Sequence, residues 1–133
     1  MKYETVDRVA IERLVHTFYE RVRADTFIGP IFNDVIDDRW GRHLATMVNF
    51  WSSVMLTSGV YKGTPMAKHV ALTQVEPAHF DRWLELFEAT TSELFVPAIA
   101  DDFMVRARRI AESFQLGMFY KPDQIKVVNA PLP

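Results

Sequence analysis

The 133-residue chain contains no cysteine, which excludes disulfide scaffolds, thiolate zinc sites, iron–sulfur clusters and cysteine nucleophiles. It also lacks a basic surplus: 15 Lys and Arg stand against 17 Asp and Glu, for a formal charge of −2 and a pI near 6.1. Proteins that meet nucleic acid or anionic membranes usually carry a basic stripe, so neither is an expected partner. No window approaches the ~20 apolar residues of a membrane span, and the N-terminal MKYETVDRV has no apolar run that could act as a signal. A soluble cytoplasmic protein is the expectation. Strand alternation, hairpin turns, internal repeats and low-complexity tracts are missing too.

What is present is a helical period broken by prolines at 30, 65, 77, 97 and 122, in a chain that is 13% aromatic with six methionines. A length of 133 residues suits one domain with one core, and the aromatic and methionine content suits lining something large and flat. A first helix is expected from about Asp7 to Arg23, where Ile11, Leu14, Val15, Phe18 and Val22 make one core stripe. Gly29-Pro30 breaks it, short turns follow, and Asp37 or Asp38 is placed to cap a second helix over about Asp38 to Thr57. That helix carries two apolar stripes, Trp40/Leu44/Val48/Trp51/Met55 and Met47/Phe50/Val54, the second headed by His43. Gly59 and Gly63 end it, and Thr64-Pro65 opens a very short helix with His69 in its second turn. A third helix opens at Pro77 and stops near Pro97, with Phe80, Trp83, Leu84, Phe87 and Leu94 inside. A fourth runs from about Asp101 to Met118, with Phe103, Ala107, Ile110, Phe114 and Met118 inside. An all-α fold follows.

Four histidines are the only neutral nitrogen ligands available. His16 sits beside the first core stripe and is expected at the surface or its boundary. Glu76-x-x-His79 matches the carboxylate–histidine motif of di-iron bundles, but that motif must occur twice; it occurs once, at a helix start, and is set aside. His43 and His69 differ, because the turn between Gly59 and Pro65 lets them face one another across a slot. Taken alone, each could be a core, cap or surface histidine. A planar, mostly apolar cofactor with a central iron needs one nitrogen ligand, an aromatic and aliphatic cage and a tunable open position. His69 can serve as axial base, and Phe18, Phe32, Phe50, Val54, Met47 and Trp83 as cage. Tyr19 and Trp83 lie on core-facing sides, where each polar hydrogen needs a partner; Tyr19 could equally sit at the stripe boundary with its hydroxyl in water.

The blocks FYERVRAD, GPIFND, GRHLATMVNFW, GTPMAKHVAL and HFDRWLELFE, in that order and at those separations, resemble the group III truncated haemoglobins, a bacterial branch of the short globins. The glycine-pair motifs of the other truncated groups are absent, as in group III. The resemblance covers residues 1–120 as a globin domain, leaving 121–133 as an extended or mobile C-terminal extension. It implies a two-over-two helical sandwich around haem b (iron protoporphyrin IX). It further implies His69 as the proximal iron ligand, Tyr19 and Trp83 as distal hydrogen-bond donors, and His43 as a distal histidine able to swing between closed and open positions. Phe32 matches the phenylalanine wedged against the haem face. Lys68, Arg42 and Tyr61 are candidates to meet the haem propionates.

One departure is Met47, where many members carry a branched aliphatic residue; its thioether offers a weak sixth ligand. The expected function is binding of dioxygen, nitric oxide or peroxide with slow release. Peroxidase or nitric oxide dioxygenase activity is open, and redox cycling would call for a reductase partner. The competing reading, of a different class, is a haem-free helical interaction module.

Overall fold

The computed structural model describes residues 1–56 and 75–119, with side chains to residue 116. Five helices are present among the described residues: α1 (Arg8–Ala24), α2 (Gly29–Ile36), α3 (Trp40–Leu56), α4 (Pro77–Leu94) and α5 (Pro97–Phe119). α1 packs on α3, α4 packs on α5, and α1 also contacts α4 and α2. The two pairs form the two-over-two sandwich. The expected C-terminal extension lies outside the described residues.

α1 starts where the Asp7 carboxylate accepts the Ala10 N–H at 2.8 Å, satisfying one of the free donors of a helix N-terminus. Its whole expected stripe is buried to within 1% of full burial, joined by Ala10 and Tyr19. His16 is exposed. At the far end, Asp25 is both the C-cap of α1 and a tie to its neighbours. Its Oδ2 accepts the Phe27 and Ile28 N–H groups at 3.0 and 2.9 Å, and its Oδ1 accepts Arg82 Nε of α4 at 2.8 Å. One carboxylate therefore joins the end of α1, the start of α2 and the first half of α4.

The short turns expected after Gly29-Pro30 are instead helix α2. A proline inside a helix breaks it, but in the first turn it removes no hydrogen bond and its fixed φ suits the helix. Pro30 occupies that first-turn position. Gly29 is required by crowding: a Cβ there would lie 2.8 Å from the Arg23 carbonyl oxygen and 2.9 Å from that of Val22. Asp37 does not cap α3; it is the C-cap of α2, in the left-handed region at φ 54°, and its N–H returns to the Asn33 carbonyl. The α3 ladder opens one step later, with the His43 N–H bonded to the Arg39 carbonyl at 2.9 Å.

Pro97 both stops α4 and starts α5, four residues ahead of the expected Asp101, by the same first-turn logic. The junction is pinned by the N-terminus: Tyr3 forms an isolated bridge with Phe95, and its ring lies 5.6 Å from the Phe95 ring. Between α1, α3, α4 and α5, Phe18, Trp51, Phe87 and Phe103 form a continuous aromatic core. Trp51 stacks on Phe87 at 5.0 Å, and Phe18 meets Phe87 edge-on at 5.1 Å.

Candidate functional site

Between α1, α2, α3, α4 and α5 lies a cleft lined almost wholly by apolar side chains. α1 contributes Tyr19, and the segment opening α2 contributes Ile28, Ile31 and Phe32. α3 contributes Met47, Phe50 and Trp51, α4 contributes His79, Phe80 and Trp83, and α5 contributes Ile110, Ala111 and Phe114; Val75 completes the described lining. Among the described lining residues, Tyr19, Trp51, His79 and Trp83 carry polar hydrogens or ring nitrogens. The rest is a hydrocarbon and aromatic wall, the chemistry that accepts a flat apolar macrocycle.

Five of the residues singled out from the sequence thus share one wall: Tyr19, Phe32, Met47, Phe50 and Trp83. Tyr19 is buried rather than at the boundary, at 4% exposure, because α1 leans on α3 and α4 at once. Trp83 stacks on Phe87 at 5.4 Å with ring planes 2° apart, which fixes its indole plane. Its N–H is directed at the Tyr19 phenol. Burial drives the Tyr19 pKa well above the ordinary phenol value, and the indole contact offsets this only in part. The phenol is therefore a neutral donor and acceptor at any physiological pH.

Two cage candidates stand elsewhere. Phe18 is one layer further in, edge-on to Trp83 at 5.4 Å and to Tyr19 at 4.9 Å, so it backs both lining residues without facing the cleft. Val54 is half-buried and packs against the main core. Both follow from the helical period, which groups residues by face but does not say which layer a face meets. His43 is outside the described lining and lies against Tyr19 and Trp40, with ring centroids at 5.0 and 5.6 Å. Arg42 is exposed on α3. Tyr61, Lys68 and His69 lie outside the described residues, and with them the geometry of the slot expected between His43 and His69.

His79 is explained by its own helix. The Glu76 N–H donates to His79 Nδ1 at 2.8 Å in a reciprocal capping arrangement, and the Phe27 ring stacks on the imidazole at 4.4 Å. Among the described residues there is no group of three or more His, Asp and Glu able to hold a metal ion. Sequence reasoning missed Ile28, Ile31, Ile110, Ala111 and Phe114 as wall residues. The first two lay in a stretch read as turns, Ile110 and Phe114 were read as core on a helix whose inner face turns out to close the cleft, and Ala111 was not singled out. Their apolar spacing was the available signal, and it fits a core and a cofactor wall equally well.

Comparison with known proteins accords with this geometry. A family model described as bacterial-like globin matches residues 3–114. The group 3 truncated hemoglobin ctb of Campylobacter jejuni is 39% identical over 124 residues, spanning 91% of this chain and 97% of its own. The crystal structure of the group III truncated hemoglobin from Campylobacter jejuni is similar in fold, with a TM-score of 0.84 at 39% identity over 91% of this chain and 97% of that one.

Proposed function

The chain belongs to the bacterial-like globin family, as a group III truncated haemoglobin, and from that premise we propose that it holds haem b in the apolar cleft and binds dioxygen or another diatomic ligand with slow release. Haem-based ligand binding comes with the family. The finer reading rests on one observation: the Tyr19 hydroxyl and the Trp83 indole, in contact with one another, both line a mostly apolar cleft.

The fit to haem is a matter of donor chemistry and shape. The lining offers aromatic and aliphatic faces on several sides, as a flat macrocycle requires, and His69 is the residue assigned to hold the iron. Bound haem would supply an iron centre for a small ligand and for redox chemistry. The chain's own part is orientation and polarity. Phe32, Phe50 and Met47 bound the space, Phe18 and Phe87 fix the Trp83 plane, and Tyr19 and Trp83 direct hydrogen-bond donors into a region from which their apolar neighbours exclude water. Met47 offers a thioether to the same space.

Hydrogen bonds of this kind contribute about 1–3 kcal/mol each, so two of them lengthen ligand residence by powers of ten. Slow release suits a sensor, a scavenger or redox turnover of peroxide or nitric oxide better than a carrier. Redox turnover would require a reductase, met in the cytoplasm in this reading. Among the described residues no helix is long and apolar enough to cross a membrane.

Titration of the purified protein with haemin tests the proposal. The expected result is one equivalent taken up with a sharp Soret band, lost or strongly shifted in His69→Ala. Absence of stoichiometric uptake would end this reading in favour of a haem-free helical interaction module.

A further inference from the structure

Tyr19 faces two clefts. Besides the apolar one, it lines an outer, polar depression shared with His16, Glu20, Arg23, Asp37 and Trp40. Trp40 is the large ring of that outer wall, yet it is only 7% exposed. On one side the Arg23 guanidinium lies over it, 4.5 Å from the ring centroid. On the other sides it meets the two residues assigned to the distal side: Tyr19 at 5.9 Å, and His43 at 5.6 Å with the planes perpendicular. Tyr19 and His43 also touch, edge to face at 5.0 Å. The three rings form a closed triangle; of the three, Tyr19 is the one in the described lining of the apolar cleft.

We infer that Trp40, clamped from the solvent side by Arg23, is a positioning residue that holds the side chains of Tyr19 and His43 in their orientation towards the ligand side. The reason is steric and electrostatic. An imidazole set perpendicular to an indole and to a phenol is favoured by the ring quadrupoles, and rotation of either distal ring about its first side-chain bond is blocked by the other two. A cation over the outer indole face is attracted by the same quadrupole and ties Trp40 on α3 to α1, the helix that carries Tyr19. The inference rests on the proposed roles of Tyr19 and His43 but can be tested separately from them.

The test compares Trp40→Leu, Trp40→Phe and Arg23→Gln. In apo-protein, NMR should show the His43 ring protons shifted by the neighbouring ring currents. Trp40→Leu should bring them close to free-imidazole positions, Trp40→Phe should retain most of the shift, and Arg23→Gln should fall between. In the reduced, haemin-loaded protein, Trp40→Leu should raise the dioxygen dissociation rate about tenfold, the effect of one lost donor bond, with Trp40→Phe restoring it towards the parent value. His43 shifts unchanged in Trp40→Leu, or the same loss in Leu and Phe variants, would overturn the inference. If Trp40→Leu does not fold, Arg23→Gln decides: unchanged His43 shifts refute the clamp, and a partial loss supports it. A Tyr19→Phe variant with an unaltered dissociation rate would refute the functional reading instead, leaving the NMR comparison to judge the brace on its own.

Discussion

Replacing Asp25 with alanine removes the acceptor at which three helices meet. Two backbone donors lose their partner, the N–H groups of Phe27 and Ile28. Ile28 is 1% exposed, so its N–H is left without water as a substitute, a penalty of about 1–3 kcal/mol by itself. Phe27 is 47% exposed and its N–H can be hydrated at small cost. Arg82, 39% exposed, loses its carboxylate but keeps solvent and the Glu85 side chain. The sum is about 2–3 kcal/mol, which for a chain of this size lowers Tm by about 7–11 °C.

A pH signature identifies the carboxylate as the cause. Burial opposes its ionisation, but hydrogen bonds from Ile28, Arg82 and Phe27 and the Arg82 charge outweigh burial and hold its pKa below the ordinary Asp value. A depressed folded pKa stabilises above the unfolded pKa of about 4, and that stabilisation disappears as pH falls through the lower folded value. Urea unfolding followed by circular dichroism should therefore show a constant gap between the parent and Asp25→Asn above about pH 5 that narrows below about pH 4. An alanine cost under about 0.5 kcal/mol, within the range of ordinary surface substitutions, or a gap that does not change with pH, would refute the reasoning.

Tyr19→Phe and Trp83→Phe should each raise the dioxygen dissociation rate about tenfold or more by stopped flow; because burial keeps the phenol protonated, the parent rate should stay flat into mildly alkaline solution. Gly29→Ala drives a methyl group into the Val22 and Arg23 carbonyls and should cost about 1–3 kcal/mol in chemical denaturation. Ser52 is 1% exposed on α3 and its hydroxyl has no hydrogen-bond partner among the described residues. Ser52→Ala should accordingly be neutral or stabilising by up to about 1 kcal/mol, and a clear loss of stability would show that the hydroxyl has a role.

The helices were legible wherever burial is one-sided and the apolar period clean. The α1 stripe, the proline-opened α4 and the all-α class required only local sequence. α2 was not legible, because Gly-Pro reads as a break unless the proline is known to fall in a first turn. Asp37 was not either: an aspartate between two helices is a plausible cap for both, and backbone geometry chose the earlier one. Within the site, block order and spacing brought Tyr19, Phe32, Met47, Phe50 and Trp83 to notice, and the structure sets them on one wall.

By itself, then, the sequence determined what each segment is, since helix formation, burial of a stripe and the breaks at glycine and proline depend on neighbours within a few turns. Only the tertiary structure decided which layer each face meets. It put Phe18 beneath the Trp83 plane instead of on the cleft, turned the inner face of α5 into a wall, joined three helices at Asp25 and closed Tyr19, Trp40 and His43 into a triangle. Those contacts link residues tens of positions apart, and helical periodicity repeats too often to say which distant face will be opposite.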